Sequence, residues 1–360
     1  MVYPETFEGI CVESYDKWLS PRRIEIKPKT FAEYDVDIEV ECCAVCASDI
    51  HTASGGWGEG LLPICVGHEI VGKAIRIGPK VTLVKVGDRV GVGAQSGACL
   101  DCHQCKNNNE NYCSKQIDTY GAEYPDGSHS QGGYASHVRC HEHFVFKIPD
   151  NIPSQLAAPM FCAGATSYSP LVRGGCAPGK RVGIIGLGGI GHFAVLWAKA
   201  MGAEVFVISR NNNKKDDAKA LGADGFFATD KSGWNDKYKM TFDLIVCCAS
   251  SFKGEVMDSY LSLLDVGAKF MNVGLPVAGL KWEIDPFTLI QNGCFIGTTH
   301  VASRQEIIDM LQLASAHNVK PWVETISISE AGVREAFENI QDNKARYRYT
   351  LVNHKKYFEK

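Results

Sequence analysis

The sequence contains the stretch Lys180-Arg-Val-Gly-Ile-Ile-Gly-Leu-Gly-Gly-Ile-Gly191, in which a short apolar run leads directly into a glycine-rich turn. A segment with helical periodicity follows to about Met201, and residues 204–209 form the next apolar run. Strand, glycine-rich turn, helix and strand in this order make up the βαβ unit that binds dinucleotides. Because a strand precedes the turn and a helix follows it, we prefer this interpretation to a glycine-rich turn without a ligand.

The glycines of this turn have different tasks. Gly186 permits the tight turn, Gly188 lets the backbone approach a pyrophosphate, and Gly191 lets helix and strand pack closely. The free N–H groups of the helix N-terminus then face the phosphates. The sequence therefore predicts a dinucleotide site formed by Gly186, Gly188, Gly189, Ile190 and Gly191.

The end of the second strand indicates which dinucleotide binds. Enzymes that use NAD usually have an Asp or Glu there, on the adenosine ribose. This sequence has Ser209, then Arg210 and, after three asparagines, Lys214. A hydroxyl group and cations can bind a 2′-phosphate through charge-assisted hydrogen bonds. We therefore predict NADP(H) rather than NAD(H), against the alternative that the basic residues form a solvated loop.

The rest of this region continues the pattern. Apolar runs at residues 243–248, 269–273 and 293–297 alternate with helical patterns such as residues 255–264. This alternation predicts an open parallel sheet with helices on both faces. A capping box at Ser303-Arg-Gln-Glu306 opens a predicted helix to about His317, and residues 346–352 alternate like a strand.

The first third of the chain has the pattern of a β domain. Val36, Ile38 and Val40 alternate with acidic residues, which predicts a strand with one buried face. Short apolar runs then alternate with glycine turns, as in barrel-like β domains whose loops carry function.

Two motifs after that strand combine metal-binding residue types: Cys46-Ala-Ser-Asp-Ile-His51 and Gly67-His68-Glu69. They supply a thiolate, two imidazoles, a hydroxyl group and two carboxylates, which can bind zinc and pass protons beside it. Each residue alone also has an ordinary interpretation, which for His51 is a surface histidine. Together they predict half of a catalytic zinc site.

A polar stretch from Gly97 to Tyr124 is rich in cysteine. Such a segment cannot form an apolar core, but a bound zinc ion would supply the missing folding energy. Two disulfides or four free thiols are the alternatives. Tight spacing favours a closed structural zinc site, whose ligands would be Cys99, Cys102, Cys105 and Cys113.

Length and composition limit the classes of function. The chain has 360 residues, enough for two domains, and its net charge of −4 gives no basic face for nucleic acid. No apolar run is long enough to cross a bilayer, and the N-terminus lacks the pattern of a signal peptide. Without a signal, fifteen cysteines indicate a reducing compartment. We expect a cytoplasmic protein that binds neither nucleic acid nor a membrane.

Further motifs run through the chain: Gly87-Asp-Arg-Val90, Ser130-Gln-Gly-Gly-Tyr134, Cys162-Ala-Gly-Ala-Thr166, Ser169-Pro-Leu-Val172 and Arg346-Tyr-Arg-Tyr-Thr-Leu-Val352. With the motifs above, they resemble the zinc-dependent medium-chain alcohol dehydrogenases along nearly the full length. Within that family, the chain looks most like the cinnamyl alcohol dehydrogenase branch, especially its fungal NADPH-dependent members.

The resemblance implies an α/β fold, in which a GroES-like β-rich catalytic domain is joined to a Rossmann doubly wound parallel sheet. The catalytic domain would span residues 1–156, with the structural-zinc lobe at 97–114. The NADP-binding domain would span 157–295, and residues 296–360 would return to the catalytic domain.

The resemblance also implies a set of site residues. Cys46, His68 and Cys162 would bind the catalytic zinc, although from sequence alone Cys162 is more simply a buried small hydrophobe. Glu69 would either complete the resting tetrahedron in place of water or support the ligands, and Asp49 would orient a zinc-bound imidazole. The implied cofactor contacts outside the glycine-rich turn are Thr166, Val273, Leu275 and Arg348, besides Ser209, Arg210 and Lys214.

The implied reaction is the reversible reduction of an aldehyde to a primary alcohol by hydride transfer, with zinc as a Lewis acid. The aldehyde would be cinnamaldehyde-like, aromatic or medium aliphatic. Ser48 would pass a proton to the product alkoxide, with the nicotinamide ribose and His51 behind it. The implied substrate pocket holds Trp57, Tyr120 and His300, although ordinary core packing explains the first two equally well and His300 is more polar than plant members suggest.

The resemblance further implies two zinc ions per chain and a homodimer formed through the sheet edge near Phe295 and Ile296. Two other functions stay open. One is a polyol or secondary-alcohol dehydrogenase of the same fold, and the other is a non-catalytic NADPH-binding zinc protein.

Overall fold

The computed structural model of the chain describes residues 3–250, 257–275 and 281–359. Two compact units are present: residues up to Cys162 together with those from Ser303 onward, and Ala163–Ala302. The sequence predicted these divisions after residues 156 and 295. The first observed division lies later in the chain than predicted, because the 3₁₀ helix Ala158–Phe161 packs within the first unit. The Phe161 ring lies so close to Gly91 that a Cβ atom at Gly91 would be 2.0 Å from it.

The described residues form strands and helices that are numbered in chain order. The strands are β1 (Phe7–Cys11), β2 (Arg22–Ile26), β3 (Asp35–Val45), β4 (Ile70–Ile77), β5 (Arg89–Val92), β6 (Gln95–Gly97), β7 (Ile117–Asp118), β8 (His137–His141), β9 (Phe146–Lys147), β10 (Arg181–Ile185), β11 (Glu204–Ser209), β12 (Gly225–Ala228), β13 (Phe242–Cys247), β14 (Leu264–Asn272), β15 (Phe295–Thr298), β16 (Val323–Ser327) and β17 (Arg348–Val352). The helices are α1 (Ala47–Ala53), α2 (His103–Lys106), α3 (Ser154–Ala157), α4 (Ala163–Gly174), α5 (Gly191–Ala200), α6 (Lys215–Ala220), α7 (Met257–Leu261), α8 (Pro286–Asn292), α9 (Arg304–Ala316), α10 (Glu330–Gln341) and α11 (His354–Phe358).

The first unit is built on a sheet with the order β16-β17-β3-β4-β5-β9, in which β8 also pairs with β3. Val36, Ile38 and Val40 of β3 are buried as predicted. Asp37 differs from the predicted pattern, because it is fully buried rather than solvated. β8 pairs with β3 so that Arg139 lies opposite Asp37, and the Arg139 guanidinium donates to both Asp37 carboxylate oxygens, at 2.6 and 3.0 Å.

The central strands of this sheet position the candidate metal ligands. β3 and β4 are antiparallel, so the end of β3 lies beside the beginning of β4, and Cys43 is opposite Ile70. Cys46 directly follows β3, and His68 and Glu69 directly precede β4. β17 runs antiparallel on the other side of β3, with Tyr349 opposite Val45.

The second unit contains a parallel sheet with the order β12-β11-β10-β13-β14-β15, which confirms the predicted parallel sheet. Its last strands differ in length from the prediction, since β14 begins at Leu264 and β15 at Phe295. Of the helical pattern at 255–264, residues 255 and 256 lie outside the described residues, and α7 ends at Leu261. The predicted capping box at Ser303 and Glu306 is confirmed at the start of α9.

One edge of the parallel sheet carries large exposed apolar side chains. β15 is the edge strand, and Phe295 on it is 63% exposed. Phe287 and Ile290 of α8 and Val266 of β14 are exposed to a similar extent. Among the described residues, no helix combines the length and apolar character needed to cross a bilayer.

Candidate functional site

Three ligand atoms, from Cys46, His68 and Cys162, lie within 4.8 Å of one another in the first unit. Cys46 is the residue before α1, and Cys162 follows the 3₁₀ helix Ala158–Phe161. The two cysteine sulfurs are 3.9 Å apart. A tetrahedral zinc ion with Zn–S bonds of about 2.3 Å needs sulfurs about 3.8 Å apart. These buried residues therefore fit a zinc ion held by two thiolates and one imidazole, with a fourth position for another ligand.

The three ligand groups affect one another's protonation. The hydrogen bond from Cys162 holds the pKa of the Cys46 thiol well below its usual range, and the same pairing raises the pKa of Cys162. Burial alone would lower the pKa of His68, but Asp49 and Cys46 raise it well above its usual value. Zinc would replace the proton shared by the two thiols.

Glu69 does not belong to the ligand cluster in this structure. Its buried carboxylate forms an ion pair with the guanidinium of Arg348, the first residue of β17. Burial alone would lower the pKa of Arg348, but the neighbouring Glu69 carboxylate raises it. Within the described residues, Arg348 Nε has no hydrogen-bond partner. Of the two roles left open for Glu69, this geometry favours support of the cluster, while the cofactor contact of Arg348 stays a prediction.

The predicted proton-transfer residues lie on α1. Ser48 Oγ is 3.4 Å from His68 Nε2, at the edge of the ligand cluster. His51 lies three residues further on, which places it on the same side of the helix. Its ring stacks on the indole of Trp57, with centroids 4.8 Å apart and an interplanar angle of 18°. Ser48 and His51 are both half-buried, so proton exchange with a ligand or water is sterically open to them.

Tyr120 was predicted to line the substrate pocket. Its hydroxyl group lies 3.0 Å from Nδ1 of His68, and the two ring centroids are 5.3 Å apart. This contact was not predicted. It places Tyr120 beside the imidazole of the ligand cluster.

The four lobe cysteines form a second cluster of ligand atoms within 4.8 Å of one another. Their closest sulfur–sulfur distances are 3.5–3.9 Å, too long for a disulfide of about 2.05 Å and close to a zinc tetrahedron's edge. All four are free thiols. Backbone N–H groups of Asp101 and Cys102 lower the pKa of Cys99 to about 6, which favours the thiolate that zinc binds. The set fits a closed zinc site.

The glycine-rich turn in the second unit has the geometry that its sequence predicts. Gly186 follows β10 with a φ of +86°, which favours glycine. A Cβ atom at Gly191 would lie 1.8 Å from the Gly186 carbonyl oxygen, so only glycine fits where α5 begins. A Cβ atom at Gly188 would meet nothing within 4 Å. Open space beside Gly188, with Gly189 and Ile190 leading into the helix, suits a dinucleotide phosphate.

The predicted 2′-phosphate residues lie at the carboxyl end of β11. Ser209 is half-buried and Arg210 is exposed. Lys214 Nζ donates to the Leu187 carbonyl oxygen at 2.5 Å, so this ammonium group lies against the glycine-rich turn itself. The structure therefore brings Lys214 and the turn together, which spacing alone did not predict.

The remaining predicted residues are divided between the units. Thr166 is half-buried on α4, Val273 follows β14 and is buried, and Leu275 and His300 are exposed, all in the second unit. Trp57 and Tyr120 belong to the first unit. Their roles at the cofactor and substrate stay predictions.

Comparisons with known proteins identify the family. Residues 32–150 match the family model for the alcohol dehydrogenase GroES-like domain, and residues 189–316 match that for zinc-binding dehydrogenases. Over 360 residues the chain is 49% identical to NADP-dependent alcohol dehydrogenase 6 of Saccharomyces cerevisiae, with 99% of each chain covered. The chain belongs to the zinc-dependent medium-chain alcohol dehydrogenase family.

Two solved cinnamyl alcohol dehydrogenases are similar to this medium-chain dehydrogenase. The Sorghum bicolor structure has a TM-score of 0.90 at 31% identity, with 96% of this chain and 97% of that chain covered. The Helicobacter pylori structure, complexed with NADP(H), has a TM-score of 0.87 at 31% identity, with 96% and 98% covered. The predicted family, its cinnamyl alcohol dehydrogenase branch, and the GroES-like and Rossmann parts of the fold are confirmed.

Two substitutions in the glycine-rich turn should separate binding from folding. Gly188→Ala should have the same unfolding temperature as the parent protein. It should bind NADPH roughly tenfold more weakly, because its methyl group occupies the open space beside the turn. Gly191→Ala should lose about 3 kcal/mol of stability or more, because its methyl group meets backbone. Thermal unfolding and NADPH fluorescence titration measure the two effects. Unchanged NADPH affinity in Gly188→Ala would show that phosphate does not approach this turn.

Proposed function

We propose that this medium-chain dehydrogenase reversibly reduces aldehydes to primary alcohols, using NADP(H) and a zinc ion held by Cys46, His68 and Cys162. The observation that carries the proposal is the buried ligand cluster with Ser48 Oγ at its edge. Two thiolates, one imidazole and an open position are typical of catalytic zinc, whereas structural zinc is fully enclosed by protein ligands. A purely structural zinc protein would need neither the open position nor the neighbouring hydroxyl.

The bound zinc ion and NADPH would supply a Lewis acid for the carbonyl oxygen and a hydride for its carbon. The chain's own residues then have separate tasks. Cys46, His68 and Cys162 hold the metal, and Ser48 donates a proton to the product oxygen. His51 returns a proton towards Ser48 from solvent, and the stacked indole of Trp57 keeps its ring in place. The lobe cysteines hold a second zinc ion that takes no part in the reaction.

The choice of an aldehyde and of NADP(H) rests on similarity and on charge. The yeast relative is named as NADP-dependent, and the sorghum and Helicobacter relatives are cinnamyl alcohol dehydrogenases. An NAD enzyme would have an acid at the end of this strand. This sequence instead has a hydroxyl group there, from Ser209, followed by two cations, Arg210 and Lys214. We therefore favour NADPH and aromatic or medium aliphatic aldehydes over NAD⁺ and polyols.

The activity can be tested by following NADPH absorbance with cinnamaldehyde, benzaldehyde, aliphatic aldehydes and ketones. Aldehydes should be reduced, and mannitol or sorbitol with NAD⁺ should give little turnover. Ser48→Ala should lose about 100-fold in kcat while it retains both zinc ions, because it lacks the proton donor. Ser315→Ala is the matched control, since it removes a hydroxyl group that donates to Asn151, outside both ligand clusters. A flat response with every carbonyl compound would exclude the proposed reaction, and full turnover by Ser48→Ala would exclude its role.

Coenzyme preference can be tested at the end of β11. Ser209→Asp should raise KM for NADPH at least tenfold and lower that for NADH, because a carboxylate repels a 2′-phosphate but accepts from a ribose hydroxyl. Asn211→Asp is the control, because it adds the same charge two residues away and keeps the oxygen that accepts from Asn213 N. Equal use of NADH and NADPH by the parent would contradict the proposed preference.

We also infer that two copies associate through the edge of the parallel sheet. An exposed edge strand with neighbouring apolar side chains favours pairing with a second chain. Phe295→Lys should shift the mass measured by light scattering from dimer towards monomer, because it places a charge on that edge. Val172→Lys, on an exposed position of α4, should leave the mass unchanged. A monomeric parent would contradict the inference.

A further inference from the structure

The sequence motifs predict no role for Tyr134, yet its side chain is fully buried beside the metal-ligand segments. Its hydroxyl group donates to Oδ2 of Asp49 at 2.9 Å. We propose that Tyr134 is a positioning residue, which acts through Asp49 to fix Cys46 and His68 relative to each other. The inference deepens the proposed function and rests on the catalytic zinc site described there.

Asp49 is the point at which these segments meet. Its carboxylate is fully buried, and its Oδ2 also accepts from the Cys46 backbone N–H at 2.8 Å. Its Oδ1 accepts from the Gly67 backbone N–H at 3.2 Å and lies 3.2 Å from Nδ1 of His68. Tyr134 adds a side-chain donor from a third segment to these contacts, and the Tyr120 hydroxyl group also lies within hydrogen-bonding reach of Asp49. Without Tyr134, Oδ2 would lose one of its donors and the carboxylate would be held less firmly beside His68.

Tyr134 itself is held firmly on the segment that precedes His68. The backbone of residues 132–134 bonds to that of residues 65–67 through N–H···O distances of 2.7, 2.7 and 3.1 Å. Gly67 has a φ of +103°, and a Cβ atom there would lie 2.6 Å from the Tyr134 ring. Backbone and ring thus fix Tyr134 to the His68 segment, while its hydroxyl reaches the helix that follows Cys46.

The hydroxyl group can act only as a donor in this place. Burial and the charge of Asp49 raise the pKa of Tyr134 well above its usual value, so it keeps its proton. The contact is therefore one in which a neutral phenol donates to the carboxylate. Its effect is geometric: it sets the direction in which Asp49 meets His68 Nδ1, and hence the direction of His68 Nε2 towards the metal. Partners of this kind typically change metal affinity or activity 10–100-fold when removed.

The matched pair Tyr134→Phe and Tyr357→Phe tests this role. Each variant removes one hydroxyl group that donates to a carboxylate, since Tyr357 bonds Glu330 at 2.6 Å, away from the metal ligands. Zinc release from the purified enzyme into a coloured chelator separates the two metal sites, and cobalt in the catalytic site reports ligand geometry through its visible absorption. Tyr134→Phe should release the catalytic zinc roughly tenfold faster and shift the cobalt bands, with release from the four-cysteine lobe unchanged. Tyr357→Phe should do neither.

A double variant tests whether Tyr134 acts through Asp49. In an Asp49→Asn background, Tyr134→Phe should add less than about twofold to zinc release, because the shared contact is already weakened. Fully additive effects would overturn the proposed route. Unchanged zinc release and cobalt bands in Tyr134→Phe would overturn the proposal, as would equal acceleration at both sites with a lower unfolding temperature. A parent that holds zinc only in the lobe would refute the proposed function as well, whereas a parent with both zinc ions and an unaffected Tyr134→Phe would refute this inference alone.

Discussion

The register of β3 against its two neighbours is the constraint on which the candidate zinc site depends. β4 pairs with β3 so that the Ala44 N–H donates to the Glu69 carbonyl oxygen at 2.9 Å, and β17 pairs with β3 so that Tyr349 lies opposite Val45. Three chain segments therefore end or begin at the same level of one sheet. A slip of one residue would turn every side chain of a strand to the opposite face. The apolar alternation of β3, buried within the unit's core, makes such a slip costly.

This pairing also explains why charged groups can be buried beside the cluster. Asp49 and Glu69 are both fully buried, which is unfavourable for carboxylates unless donors compensate for the lost water. Glu69 meets Arg348 because β17 delivers that arginine next to the end of β3. Asp49 instead collects neutral donors and an imidazole from three segments. Two thiolates would cancel the charge of a bound zinc ion, so these partners keep the surroundings balanced.

Local patterns in the sequence were sufficient for the parts of the protein that a continuous segment builds. The strand, glycine-rich turn, helix and strand of residues 181–209 lie where periodicity and spacing predicted them. The four lobe cysteines converge as their spacing predicted.

Residues joined by sheet pairing were not visible in the same way. Cys162 is 116 positions from Cys46, and only the family resemblance pointed to it. Arg348 is 279 positions from Glu69 and Tyr134 is 85 positions from Asp49, and strand register and loop packing create both contacts. Asp37 was predicted to be solvated for a related reason, since the alternation of β3 did not show that Arg139 of the neighbouring strand β8 would lie opposite it.

The two metal-ligand clusters differ in how they are supported, and the difference follows from their chemistry. Four cysteines in a short polar lobe can enclose a metal completely, because the metal itself then organises the loop. A catalytic site must instead keep one position open, so three ligands have to stay in place without a fourth protein ligand. In this chain the rigidity comes from outside the cluster, from β3 and β4, which flank Cys46 and His68, and from Asp49, which bonds to both segments. An open site therefore depends on distant parts of the sequence, whereas the closed site depends mainly on its own loop.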